Sequence, residues 1–297
     1  MGSWTVLAYH CLHQKNRIHN LFNLLKKNGN LLLPNNFRFY FDKQNEFDIK
    51  KLFAFGVIQG VAFSDKEGFW HYKDNVITTP NNIRFNIKNF DQLIFSETFL
   101  TDTHFSDFDL INKLVIQAGG FIGDTALYYA SRGAIVYSFE PDPNSYYLAL
   151  KNIELNPELS KNIIMRNYAI GSDGEIDFPI DPRGSGAASA YNLENKRTIK
   201  VKSCSISSII KEFSIQKPFL LDLDIKGKEF EIIGDRIISQ FEMVRIEYST
   251  YINDKQIYSR NDLVSKLAEY GFSKIRIFKH NEGAYDLNNH GTIETIK

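Results

Sequence analysis

The stretch that decides the fold reads Leu114-Val115-Ile116-Gln117-Ala118-Gly119-Gly120-Phe121-Ile122-Gly123-Asp124-Thr125. An apolar run with strand character, residues 114–118, passes through small residues into a segment predicted as helix over residues 123–131. In a doubly wound α/β sheet, this first strand-to-helix turn is where a nucleotide-like ligand lies against bare backbone. Gly119, Gly120 and Gly123 suit that role, because a Cβ would collide with the ligand or block the turn. Asp124 and Thr125 stand at the helix start, where they can cap it or reach a ligand.

Downstream, a second strand over residues 134–139 ends in Glu140, at the position where a carboxylate accepts hydrogen bonds from both ribose hydroxyls of an adenosine. A helix over residues 145–155 and strands over 163–167, 219–223 and 243–247 follow. This alternation predicts βαβ units and a mostly parallel sheet, with residues 111–297 forming the cofactor-binding domain.

Upstream, residues 12–27 carry Ile18, Leu21, Phe22, Leu24 and Leu25 at helical spacing among Lys15, Arg17, Lys26 and Lys27. The expectation is a helix packed by that stripe on its own domain; a basic helix lying on a membrane surface is the alternative. Residues 37–41, 55–63, 69–72 and 83–87 read as short strands. The aromatics Phe37, Tyr40, Phe69, Trp70 and Tyr72 are expected to be mostly core rather than a sugar-stacking surface. Residues 1–110 are thus a helix and β-rich region expected to cover the substrate. Residues 183–190, rich in Gly and Ala, are expected to form a mobile lid.

The 297 residues carry 35 Lys plus Arg against 35 Asp plus Glu, without the basic excess of a nucleic-acid binder, so that partner is not expected. Cys11 and Cys204 stand far apart and form neither a disulfide framework nor a metal-ligand spacing. No apolar run is long enough to span a bilayer, and the first residues lack a signal-peptide pattern, so a cytoplasmic location is expected.

Two ligand classes compete for the turn. A dinucleotide turn would use Ala118, Gly120 and Gly123; a methyltransferase turn keeps Gly119 and Gly123. The late start of the unit, the run Glu140-Pro141-Asp142-Pro143 and a second acidic turn after the fourth strand favour the methyltransferase.

With residues 115–130, Tyr137 to Pro143, Asn152-Ile153-Glu154-Leu155-Asn156, Asn167 to Gly171, residues 221–233 and Arg245-Ile246-Glu247-Tyr248 in order, the chain resembles the FkbM-type family of S-adenosylmethionine-dependent methyltransferases over about residues 95–272. The resemblance implies a class I sheet of seven strands closing with an antiparallel hairpin. It also implies methyl transfer, usually to a hydroxyl of a carbohydrate or secondary metabolite, so a small-molecule or glycan acceptor. Gly119, Gly120, Phe121, Gly123, Asp124 and Thr125 would line the methionine end of the cofactor. Glu140, followed by Pro141 and Asp142, would hold the ribose, and residues 167–170, with Ala169 among them, would flank the adenine.

Two departures stand out. Gln117 occupies the place of a family Asp, so its neutral carbonyl is expected to weaken the contact with the cofactor's ammonium about tenfold, and Gln117→Asp to restore it. The family's Lys-x-Asp-x-Glu-Gly-x-Glu reads here Asp222-Leu223-Asp224-Ile225-Lys226-Gly227-Lys228-Glu229. Asp222 and Asp224 are expected on opposite faces of their strand, and the resemblance selects Asp224 for the chemistry. Asp224 would act as base or orient a hydroxyl beside Glu247. The pair could also hold a divalent cation, although no metal site is assigned. Lys226 is either an alternative base with a depressed pKa or a solvent-facing residue paired with Glu229. The plain alternative for Asp224 is a cap on the helix beginning near Lys228. Of seven histidines, only His104, just before the first strand, stands near either motif. Two rival functions remain, a non-catalytic binding protein of the same fold and an NAD-dependent oxidoreductase.

Overall fold

The computed structural model describes residues 16–26, 28–32, 38–41, 71–73, 76–79, 81–86, 91–99, 108–180, 197–252, 255–279 and 286–297. The expectations for Cys11, residues 55–63, Phe69, Trp70, His104 and the lid at residues 183–190 lie outside these residues. The chain divides into two compact units, residues 1–108 with 154–156, and residues 109–153 with 157–297.

The first unit holds helix α1 (Arg17–Lys26), strands β1 (Gly29–Leu32), β2 (Arg38–Phe41), β3 (His71–Lys73), β4 (Val76–Thr78) and β5 (Arg84–Asn86), and helix α2 (Gln92–Phe99). The strands form one sheet in sequence order, antiparallel except where β2 meets β3. Its described core is aromatic: Phe85 of β5 meets Phe95 of α2 edge-on at 5.5 Å between ring centroids and Phe99 at 5.1 Å. Helix α1 forms where the apolar period predicts it, but the packing is reversed. Asn20 is buried, whereas Ile18, Phe22 and Leu25 face solvent.

The second unit begins with β6 (Leu114–Ala118), α3 (Asp124–Ser131), β7 (Ile135–Phe139), α4 (Pro143–Glu154), α5 (Pro157–Ser160) and β8 (Ile163–Arg166). Strands β9 (Ala169–Ile170), β10 (Gly174–Pro179) and β11 (Thr198–Cys204) make a separate three-stranded sheet, followed by α6 (Ile206–Glu212). Then come β12 (Leu220–Asp224), α7 (Glu229–Ile233), β13 (Met243–Ser249), the small pair β14 (Tyr251–Ile252) and β15 (Lys255–Gln256), α8 (Arg260–Glu269), β16 (Lys274–Phe278) and β17 (His290–Ile296). The main sheet runs β16-β17-β13-β12-β6-β7-β8. From β13 to β8 all neighbours are parallel; β17 runs antiparallel to both β13 and β16. This is the class I methyltransferase order with its closing reversed strand.

Both faces of the central strands are covered, and the two coverings differ in character. One face presents Ile116, Leu221, Leu223, Val244 and Ile246 to Ile206 and Ile209 of α6, Ile232 and Ile233 of α7 and Leu263 and Leu267 of α8. On the other face, register aligns Ser138, Gln117, Asp222 and Arg245 across four strands. That row is buried but bonded. Ser138 Oγ donates to Gln117 Oε1 at 2.8 Å, Arg245 Nη1 to Asp222 Oδ1 at 2.8 Å, and Tyr129 Oη of α3 to Asp222 Oδ2 at 2.8 Å. The connection reverses direction at β6, with β7 on one side and β12 on the other, and in open α/β sheets ligands bind at the carboxyl edge of such a switch point.

Candidate functional site

The glycine turn leaves β6 under tight control. The amides of Gly119 and Gly120 both donate to the Phe139 carbonyl, at 3.0 and 2.9 Å, and Asn152 Nδ2 of α4 donates to the Ile122 carbonyl at 2.9 Å. Gly119 adopts φ +88°, and a Cβ there would stand 1.9 Å from the Asp224 carbonyl oxygen. A Cβ on Gly120 would stand 2.4 Å from Ser138 Oγ. The glycines are therefore demanded by the chain itself, where two strand ends nearly touch, before any ligand is considered. Phe121 also sits at positive φ.

Glu140 is buried and locks this turn. Its Oε2 accepts from the Phe121 amide and its Oε1 from the Asp142 amide, each at 2.8 Å. Burial pushes its carboxyl up to about 8, against the two amides, which pull it down. Asp142 serves α4, accepting from the Asn144 amide at 2.9 Å directly ahead of Pro143 at the first helical position. The Pro141 carbonyl accepts from Asn167 Nδ2 at 3.0 Å, and Asn167 also reaches the Glu140 carbonyl. Ala169 is buried in β9, paired with Ser203. Asp124 and Thr125 open α3 and are buried, and Gly123, not a side chain, stands at its N-cap.

Gln117 is engaged within the sheet. It is buried, and its side-chain carbonyl, expected to meet the cofactor's ammonium, accepts one bond from Ser138.

Asp224 ends β12 in register with Glu247 of β13, so the two carboxylates lie on adjoining strands at the carboxyl edge. The expectation that Asp222 and Asp224 face opposite ways is wrong. Residues two apart on a pleated strand share a face, and Asp222, Arg245 and Asp124 all act electrostatically on Asp224. What separates the two is depth. Asp222 is buried in its bonds to Tyr129 and Arg245, whereas Asp224 is half-buried at the edge. Burial and the neighbouring Glu247 push the Asp224 carboxyl well above the usual carboxylate range, and Arg245 pulls the other way. Helix α7 has Lys228 at its N-cap, and the Lys228 side chain makes no cap bond. Lys226 is exposed, Glu229 is buried with its carboxyl pushed up to about 7 by burial, and Lys228 pairs with Glu231.

One residue at this edge carried no sequence signal. His290, the first residue of β17, brings Nε2 to 3.8 Å from Glu247 Oε1 and Nδ1 to 3.0 Å from Ser249 Oγ. It stands beside β13 only because β17 runs back antiparallel along it. No group of three or more His, Cys, Asp or Glu residues is arranged to hold a metal ion among the described residues.

Comparison with known proteins bears on what this edge does. The model of the methyltransferase FkbM domain matches residues 117–274, more than half of the chain. The chain belongs to the FkbM methyltransferase family. Among curated proteins, the hexuronic acid methyltransferase AglP of Haloferax volcanii is 24% identical over 118 residues, 39% of this FkbM chain and 47% of that protein. The chain thus aligns with about half the length of that relative. Solved structures similar to it include a magnesium protoporphyrin IX methyltransferase from Synechocystis with bound S-adenosylmethionine (15% identity, 64% of this chain and 72% of that one, TM-score 0.37). A precorrin-6y C5,15-methyltransferase from Geobacter metallireducens is another (9% identity, 63% and 80%, TM-score 0.35). The seven-stranded order β16-β17-β13-β12-β6-β7-β8 is that of the class I methyltransferase fold. No helix among the described residues is long and apolar enough to cross a membrane.

Proposed function

We propose that this FkbM methyltransferase takes its methyl group from S-adenosylmethionine and transfers it to a hydroxyl of a carbohydrate or similar small acceptor. The observation that supports the proposal is the set of carboxyl groups around the glycine turn. Asp124 opens α3, Glu140 holds the Phe121 amide, and Asp224 and Glu247 stand side by side at the strand ends. A cofactor bearing an ammonium and a sulfonium suits these carboxylates. The pyrophosphate of a dinucleotide would meet Asp124 at the helix start, where such turns otherwise attract anions, and like charge would repel it.

When bound, the cofactor supplies an electrophilic methyl on its sulfonium. The backbone of residues 119–125 seats the methionine end, and Glu140 accepts the ribose hydroxyls with lone pairs beyond those used by the Phe121 and Asp142 amides. Asn167 and Ala169 border the adenine position. Asp224 and Glu247 orient the acceptor hydroxyl, and one of them receives its proton. Burial and the neighbouring Glu247 raise the Asp224 carboxyl, which makes its ionised form a stronger base toward the acceptor hydroxyl than a free carboxylate.

The carbohydrate reading is supported by the hexuronic acid methyltransferase relative. It is tested by incubating the protein with methyl-labelled S-adenosylmethionine and a panel of hexuronic acids and their glycosides. The expected product is a labelled methyl ether. Label found only as a carboxyl methyl ester would overturn hydroxyl transfer.

A further inference from the structure

Helix α1 is built inside out. Ile18, Leu21, Phe22 and Leu25 are 81, 38, 55 and 73% exposed. At 3.6 residues per turn these four fall within an arc of about 100°. Arg17 lies just beyond one border of the arc and Lys26 just beyond the other. The opposite side is the packed one. Asn20 is fully buried, and Asn23 Nδ2 donates to the Asn30 carbonyl at 2.8 Å. Gly29, at φ +135°, permits this approach, since a Cβ there would stand 2.7 Å from Asn23 Oδ1. The polar face is thus tied down by specific bonds, and four large apolar side chains are held outward.

A stripe of this size facing water marks an interaction surface. Its chemistry is set by charge. No acidic residue precedes Asp42, whereas Lys15, Arg17, Lys26, Lys27 and Arg38 do, in a chain whose charges over its full length balance at 35 to 35. A second copy of the chain is a poor occupant, because two such helices paired about a twofold axis would bring cationic borders together. An apolar stripe with cationic borders on a helix free of acids is the make-up of a helix lying in a bilayer interface.

We propose that α1 docks the protein on an anionic lipid bilayer, with Ile18, Leu21, Phe22 and Leu25 at the headgroup–acyl boundary and Arg17 and Lys26 against the lipid phosphates. The inference is independent of the methyl acceptor and of the cofactor. It is tested by co-sedimentation of the full chain with vesicles of phosphatidylcholine mixed with phosphatidylserine, and of phosphatidylcholine alone. Partition is expected to be at least about tenfold stronger on the anionic vesicles and to weaken in high salt. Arg17→Gln with Lys26→Gln should weaken it about 25-fold, about fivefold for each cation removed. Phe22→Ser with Leu25→Ser should abolish it while leaving the melting temperature unchanged, since both side chains face solvent. Equal or absent binding on the two vesicles would overturn the proposal, as would binding that survives the Phe22 and Leu25 substitutions. Dimers of the wild type that the same double variant turns into monomers would also overturn it, assigning the stripe to a second copy.

Discussion

Asp222→Asn should be among the most damaging single-atom-scale changes in this protein. Asp222 and Arg245 are both fully buried, 2.8 Å apart, and Asp222 also accepts the Tyr129 hydroxyl. Asp222 holds the Arg245 guanidinium above its usual range against the pull of burial, and burial and Asp222 together raise the Tyr129 phenol. Arg245 has little else to replace Asp222: its Nε and Nη2 are buried without hydrogen-bond partners among the described residues. Two unit charges about 4 Å apart at an effective dielectric of about 20 interact by about 4 kcal/mol, and breaking a buried pair typically costs about 3–5 kcal/mol. Because the amide oxygen still accepts one bond, about 3–4 kcal/mol is expected, or a fall in Tm of about 6–16 °C. Urea unfolding followed by circular dichroism measures this. Replacing both partners, Asp222→Leu with Arg245→Met, should recover most of the loss, since an apolar pair desolvates no charge. A loss below about 1 kcal/mol for Asp222→Asn, or a double variant no better than the single, would refute the view that this pair is the charged centre of the sheet.

Gly119→Ala, which drives a Cβ into the Asp224 carbonyl at positive φ, should destabilise by about 2–5 kcal/mol; a melting temperature equal to wild type would deny the close approach of the two strand ends. Glu140 has a folded-state pKa raised from 4.5 to about 8, so its contribution to stability is complete below about pH 4.5 and is lost as pH rises through about 8. The cofactor-free protein should therefore lose stability across that window, by at most about 1.4 kcal/mol per pH unit from this group, and Glu140→Gln should flatten the slope. Gln117→Asp, which sequence alone suggests as a gain in cofactor affinity, should instead destabilise the protein, because it sets a second buried carboxylate in register with Asp222. Tighter S-adenosylmethionine binding by a stably folded Gln117→Asp variant would restore the original reading.

The five parallel strands of the main sheet and the helices α3 and α4 were legible because each carries a strong local signature. The run at residues 114–118 is apolar and ends in small residues, and the helices at α3 and α4 begin with Asp124 and with Pro143 behind Asp142. Glu140 was legible as a carboxylate at a strand end; its grip on the Phe121 amide was not, because that bond depends on the turn folding back. The Asp222–Arg245–Tyr129 cluster joins residues far apart in the chain and exists only once strand register is known. His290 arrives through the reversed strand, beyond the reach of either motif. In α1 the period revealed a stripe, but a period does not say which side the protein covers: Asn20 is buried and Asn23 bonds the Asn30 carbonyl, while Ile18, Phe22 and Leu25 face solvent. The side sheet of β9 to β11 was missed because β9 has two residues and leaves no periodic trace.

Isothermal titration of the full chain with S-adenosylmethionine and with NAD tests most directly whether a cationic adenosine cofactor is seated on the Gly119 turn. One equivalent of S-adenosylmethionine should bind, NAD should give no binding heat, and Glu140→Ala should weaken the first by at least about tenfold. Binding of NAD with silence toward S-adenosylmethionine, or an affinity for S-adenosylmethionine that Glu140→Ala leaves unchanged, would contradict it.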